Sequence, residues 1–296
     1  MIEPIKDKTM SGVASLTRGL AMAAALVGGL FVAGAARAAG GEQAHIERQS
    51  WSFAGPFGRY DQAQLRRGFQ VYSNVCAACH PMNLVSYRNL YEPGGLGYTE
   101  AEVKALAAAA TVKDGTLDGD GKLKERPGRP SDRFPSPFVT EDSAREMHNG
   151  SVPPDFSVLA KARTYSRGFP WFLTDAITQY QEHGPDYIVA LLTGYLEEPP
   201  HGVTVLPGQY YNKVMPGNVL SMAPPLSDGA VDYTDGAIPK TTLQYAKDVS
   251  AFMMWAAEPK LEQRKQTGLK VMIFLIVLTF LLYLTKKKIW TSVYER

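Results

Sequence analysis

Five consecutive residues, Cys76-Ala-Ala-Cys79-His80, constrain this chain more than any others. They contain both of its cysteines and put a histidine directly behind the second. C-x-x-C-H is the attachment signature of a c-type haem, in which two thioethers hold the macrocycle and the adjacent imidazole becomes an axial iron ligand. A chain that wraps so large an apolar group is expected to be mostly α, with long ordered loops supplying the walls. C-x-x-C alone also serves as a dithiol redox pair, as half of a zinc site or as a plain disulfide. Four-sulfur zinc is excluded, because there is no third cysteine. The residues before the motif, Arg66-Arg67-Gly68-Phe69-Gln70-Val71-Tyr72, read as a helix with a mixed face and not as the strand of a thioredoxin-like unit. The dithiol reading nonetheless stays open on these five residues alone.

An electron-carrying haem usually has a second axial ligand, and a thioether opposite the histidine raises the reduction potential. Met82 is too close to His80 in sequence to reach the opposite haem face. Met147 and His148 sit in a helical-looking stretch, and Met253 and Met254 fit the packed face of an amphipathic helix. Met222 lies in Met215-Pro-Gly-Asn-Val-Leu-Ser-Met222-Ala-Pro-Pro-Leu226, which prolines stiffen against regular structure. A rigid loop suits a ligand that must not reorganise when the iron changes charge, so Met222 is the preferred candidate. Met215 is its nearest rival, and His201 or His183 would give a bis-histidine site of lower potential.

The two ends point to one topology. Lys6, Lys8 and Arg18 precede an apolar run over 20–36 and a small-residue stretch, Ala33-Gly-Ala-Ala-Arg-Ala-Ala-Gly40, the layout of a cleavable secretory signal over 1–39. A retained N-terminal anchor is the alternative. Near the other end, 267–285 is almost wholly apolar and spans about 28 Å as a helix, close to a hydrocarbon core. Lys270 can snorkel, and Lys286-Lys287-Lys288 follow at once, with Trp290 and Tyr294 as interfacial anchors. By the positive-inside rule the C-terminus is cytoplasmic and the preceding domain exported. The expected division is a signal peptide 1–39, a haem domain 40–262, a transmembrane anchor 263–286 and a cytoplasmic tail 287–296.

Residues 40–268 hold 22 Lys and Arg against 26 Asp and Glu, a net charge of −4, whereas the whole chain carries +2. The basic excess therefore belongs to the ends. Nothing in the sequence suggests a basic face for nucleic acid, while acidic clusters at Asp114/Asp118/Asp120, Glu197-Glu198 and Asp228/Asp232/Asp235 would steer a basic partner if they rimmed a haem edge. Helical periodicity is present over 61–74, 99–111, 141–149, 185–194 and 243–257, with Thr99 and Glu102 spaced as a capping box. Gly/Pro-rich stretches separate these segments, and strand patterns are few and short. Asp114-Gly-Thr-Leu-Asp-Gly-Asp-Gly121 lacks the last glutamate of a calcium loop and reads as a polar turn.

Taken in order along the chain, several segments resemble the cytochrome c1 family, the haem subunits of cytochrome bc1 complexes, in its bacterial form. They are Arg66–Tyr72 leading into Cys76-Ala-Ala-Cys79-His80, then Arg126-Pro-Gly-Arg-Pro-Ser-Asp-Arg-Phe134 and Asn149-Gly-Ser-Val-Pro-Pro-Asp155. Leu191-Leu-Thr-Gly-Tyr195, Met222-Ala-Pro-Pro225 and Trp255-Ala-Ala-Glu-Pro259 before the anchor complete the set. The resemblance implies one haem c on Cys76 and Cys79, with His80 and Met222 as axial ligands. It also implies haem contacts from Arg163, Tyr187 and the Pro153-Pro154 loop. It further implies electron relay within ubiquinol–cytochrome c reductase, from a Rieske iron–sulfur subunit to a soluble cytochrome c, beside cytochrome b in a bacterial inner membrane. A membrane-tethered mono-haem cytochrome serving another oxidase or reductase is the alternative. The segment 164–183 departs from mitochondrial members as an insertion, and the cysteine pair that forms a disulfide in some bacterial members is missing.

Overall fold

The computed structural model describes residues 46–294 apart from Asp118, Ser166 and Thr234. The signal segment expected over 1–39 lies outside the described residues. Most of the regular structure is helical, as expected. Helix α1 (Gln62–Asn74) starts where the Asp61 carboxylate accepts from the backbone N–H groups of Ala63 and Gln64, and it buries Leu65, Gly68, Phe69, Val71 and Tyr72. Those positions lie on one helical face. Two short 3-10 turns follow, Cys76–Ala78 and Tyr87–Leu90. Helix α2 (Glu100–Ala108) opens on the capping box read from the sequence: Thr99 Oγ1 accepts from Glu102 N and the Glu102 carboxylate accepts from Thr99 N.

Strands β1 (Thr111–Leu117) and β2 (Leu123–Pro127) form an antiparallel hairpin. Helices α3 (Glu141–Met147), α4 (Leu159–Ala162), α5 (Trp171–Thr178) and α6 (His183–Leu192) come next. A two-residue ladder, β3 (Tyr210–Tyr211) on β4 (Val219–Leu220), precedes α7 (Thr242–Ala257) and α8 (Leu261–Tyr294).

Helix α7 is the spine. It is buried over nearly all of its length, with Tyr245, Phe252, Met253 and Trp255 at 1% exposure or less, and it packs against α1, α4 and α6. The approach of α1 to α7 depends on Gly68, where a Cβ would fall 2.1 Å from the Asp248 carbonyl oxygen. Beside it Arg67 Nε meets the Asp248 carboxylate at 2.9 Å, and Tyr233 Oη donates to the same group at 2.9 Å. Asp248 is fully buried, so its charge needs these partners. A second buried carboxylate, Asp186 on α6, accepts from Gln49 N, Trp51 Nε1, Tyr165 Oη and Tyr180 Oη. That hub ties residues near 49–51 to the segment 164–183.

Helix α8 leaves the domain as a continuous rod. Its base is fixed by Lys265 Nζ donating to the Phe53 carbonyl at 2.6 Å and by Glu262 accepting from Tyr60 N at 3.0 Å. The stretch Leu261–Thr291 is long and apolar enough to cross a membrane, with a mean hydropathy of 2.3 over its apolar window, none of which is buried among the described residues. Where the sequence reading ended the anchor at 286, the helix runs on through Lys286–Lys288, because lysine is a good helix former and nothing there breaks the hydrogen-bond ladder.

Candidate functional site

The site begins at the C-terminal end of α1. Phe69 and Tyr72 anchor that helix in an aromatic cluster with Phe134 and Phe252, with ring centroids 5.6–6.1 Å apart. The chain then tightens so that Cys79 N and His80 N both donate to the Cys76 carbonyl, at 3.1 and 2.8 Å. This turn gathers the two sulfurs and the imidazole within five residues. Both cysteines are free thiols. Cys76 packs against the main core, and burial, reinforced by the neighbouring Cys79, pushes its thiol up to about 12. A dithiol oxidoreductase needs the opposite, a thiol with a depressed pKa that is anionic at neutral pH.

His80 is 9% exposed, stacks on Phe156 with centroids 4.1 Å apart, and has its Nδ1 2.9 Å from the Pro154 carbonyl. A carbonyl partner makes Nδ1 the protonated nitrogen and leaves the lone pair on Nε2, the arrangement a metal-ligating histidine needs. Burial lowers the His80 pKa, only partly opposed by the Pro154 bond, and so favours the neutral ring. The segment 154–157 is zipped onto 80–84 by three further bonds. Phe156 N donates to Pro81 O at 2.9 Å, Asn83 N to Asp155 Oδ2 at 3.0 Å, and Leu84 N to Ser157 Oγ at 3.0 Å. Pro153 and Pro154 thus sit on the strip that orients the imidazole.

The methionine loop approaches the same strip. Ser151 Oγ donates to Ser221 Oγ at 2.9 Å, and Tyr195 Oη donates to the Met222 carbonyl at 3.0 Å. Met222 is half-buried. Its rival Met215 already receives a hydrogen bond from Tyr187 Oη at 3.7 Å, and Asn212 Oδ1 accepts from its backbone N–H. Of the histidine rivals, His183 lies in the cluster around Asp175 and His201 is exposed. Met82, Met253 and Met254 are core side chains, and Met147 points to solvent at 69% exposure. Tyr187 is buried, and burial raises its pKa while the exposed Arg163 guanidinium pulls it down, so these two predicted residues share one neighbourhood.

The donor set fits a covalently attached haem: two thiols on one turn, an imidazole whose Nδ1 is engaged by Pro154 O so that Nε2 is left as the donor, and a half-buried thioether on a loop tied to the imidazole's own strip. Phe156, Ser151, Ser221 and Tyr195 are missed by the sequence reading as parts of the site. Tyr195 and Ser221 lie within or beside quoted segments, but no local pattern states which backbone group a hydroxyl will reach.

The sequence profile described as Cytochrome C1 family matches residues 51–293. Among relatives, the chain is 52% identical to cytochrome c1 of Blastochloris viridis over 91% of this chain and 94% of that protein. It is 46% identical to cytochrome c1-2, heme protein, mitochondrial, of Solanum tuberosum, over 78% of this chain and 79% of the relative. It is also 53% identical to cytochrome b/c1 of Bradyrhizobium diazoefficiens, over 82% of this chain but only 35% of that longer protein. With a profile match over most of its length and relatives of this identity, the chain belongs to the cytochrome c1 family.

Proposed function

We propose that this chain is the haem-bearing electron-transfer subunit of a quinol–cytochrome c reductase, accepting electrons from a Rieske iron–sulfur subunit and passing them to a soluble c-type cytochrome. The observation that carries the reading is the His80 imidazole, stacked on Phe156 and bonded through Nδ1 to Pro154 O directly after two free cysteines. Cys76 and Cys79 would form the thioethers, and His80 Nε2 and Met222 Sδ the axial bonds. Arg163, Tyr187 and the Pro153-Pro154 loop would complete the haem contacts. Haem c bound there supplies a one-electron couple.

The protein's own contribution is positional. The 80–84 and 154–157 zipper holds the imidazole at one orientation, Tyr195 and Ser151 restrain the methionine loop, and the aromatic core excludes water. A site whose ligands move little between charge states needs little reorganisation to pass an electron. No bond-making chemistry falls to this chain; quinol oxidation would belong to cytochrome b and the Rieske subunit. The longer relative named cytochrome b/c1 supports the pairing with a b-type cytochrome. Helix α8 would be the single inner-membrane anchor, with residues 40–262 periplasmic, 1–39 a cleaved signal and the Lys286–Lys288 end cytoplasmic. The exposed Glu197 and Glu198 suit a basic acceptor, whose docking would weaken with salt.

The test is a reduced-minus-oxidised spectrum and redox titration of the membrane-purified protein, with a haem stain after denaturation. A covalent haem of clearly positive potential that copurifies with a b-type cytochrome is the expected result. A strongly negative potential would reject Met222 and the relay together.

A further inference from the structure

Helix α5, inside the segment 164–183, is folded inside out. Its one buried side chain is Asp175, which meets Arg167 at 2.7 Å, His183 at 3.5 Å and Arg48 at 4.0 Å. Its outer side carries Trp171 and Phe172, each 51% exposed, Leu173 at 46% and Ile177 at 82%, and Phe169 just before the helix is 77% exposed. On the helix, Leu173 and Ile177 are i, i+4 neighbours with Phe172 beside them, so the three share one side, and Phe169 is exposed just ahead of the cap. A segment that hides its carboxylate and presents five large apolar side chains, four of them on the helix, is built for something other than water.

Its position identifies what that is. Gln179, which ends α5 with φ +53°, and Gln181 line a cleft of about 300 Å³ together with Gly268, Leu269 and Met272 of α8. Those α8 residues belong to the stretch apolar enough to cross a membrane. The C-terminal end of α5 is therefore level with the point where the anchor would pass into lipid. Phe57, 72% exposed, lines the same cleft, and Arg264 and Lys265 stand beside it, with Arg59 on the adjoining face of the same loop.

An aromatic and aliphatic stripe with cations at its margin has the composition of a segment seated at the headgroup–acyl boundary. We infer that α5 and Phe169 lie in the outer membrane interface, so that the chain meets the bilayer at two places, through α8 and through α5. The inference rests on α8 being the membrane anchor.

Single cysteines at Ile177, Phe172, Ile276 and Lys124 of the full chain, spin-labelled in its native complex and reconstituted in nanodiscs of phosphatidylethanolamine and phosphatidylglycerol, test it. Collision of the label with oxygen is compared with collision with a water-soluble nickel chelate. The expected result is that the labels at Ile177 and Phe172 fall between the mid-anchor Ile276 label and Lys124, more accessible to oxygen than to nickel but less so than Ile276, while Lys124 shows the reverse. Nickel-accessible labels at 172 and 177 would put α5 in water, and labels shielded from both reagents would put it against another protein; either overturns the inference. Failure at Ile276 itself would show that the anchor reading, and with it this one, is wrong.

Discussion

The two halves of the proposed haem site are built to different stiffness. On the histidine side, four hydrogen bonds join 80–84 to 154–157, His80 is almost fully buried, and the neighbouring Met82 has no exposure at all. On the methionine side, Met222 is half-buried in a Pro-rich loop restrained by Tyr195 at its carbonyl and by Ser221 at its neighbour. A ligand bound by a short turn and a zippered strip is placed by local folding. A ligand on a loop some 140 residues downstream is placed by tertiary contacts, each worth only about 0.5–1.5 kcal/mol. The half nearer in sequence should therefore dominate attachment and stability, and the distant half should mainly tune the potential.

The comparison breaks first at His80. His80→Ala should leave the cysteines able to hold haem, yet abolish turnover of the complex and give a high-spin spectrum, the largest effect expected of any single change here. Normal low-spin bands in that variant would show that the histidine side does not supply the ligand. Met222→Leu should keep the haem covalently attached and the fold intact while the midpoint potential falls by on the order of 0.2 V, a fraction of the ~0.8 V range that axial ligation commands. An unchanged potential would transfer the role to Met215 or elsewhere.

The same contrast explains what was legible in the sequence. Cys76-Ala-Ala-Cys79-His80 and the apolar run of α8 are contiguous signals, readable without knowing the fold. The main helices were legible because their apolar spacing is local, as is the Thr99 capping box, whereas the caps at Asp61 and Thr241 emerged only with the fold. The hairpin Thr111–Leu117 with Leu123–Pro127 was not, because its residues are largely exposed, lack alternation and contain the Asp/Gly cluster that reads as a turn. Helix α5 was missed for the opposite reason. Its apolar stripe faces outward and its inward residue is an aspartate, so the usual link between periodicity and burial is inverted. Asp186 shows a further limit: four donors converge on it from Gln49, Trp51, Tyr165 and Tyr180, a convergence that only the folded chain creates.

Smaller changes sharpen the contrast. Asp155→Ala removes the acceptor of two backbone N–H groups, from Asn83 and Ser157. Bonds to a charged acceptor carry about 1.5 kcal/mol or more each, though one here is exposed, so a loss of about 2 kcal/mol is expected. The midpoint of guanidinium unfolding, followed in the Soret band, measures it, with the redox potential staying near the parent value. A shift in potential as large as that of Met222→Leu would contradict the division of labour.

Tyr195→Phe should have the least effect. It deletes one hydroxyl that donates to the Met222 carbonyl at 3.0 Å and keeps the ring, whose burial raises the phenol pKa. The tyrosine is un-ionised at any working pH, so the bond is neutral and its loss is worth about 1 kcal/mol. If that bond is stronger in one oxidation state than in the other, the potential moves by at most roughly 40 mV for a one-electron couple. The stability change should be no larger than that of Asp155→Ala. A potential shift without a stability change would mean that the loop is held elsewhere and Tyr195 only orients the thioether. A stability loss without a potential shift would mean that the methionine side, too, is placed mainly by its fold.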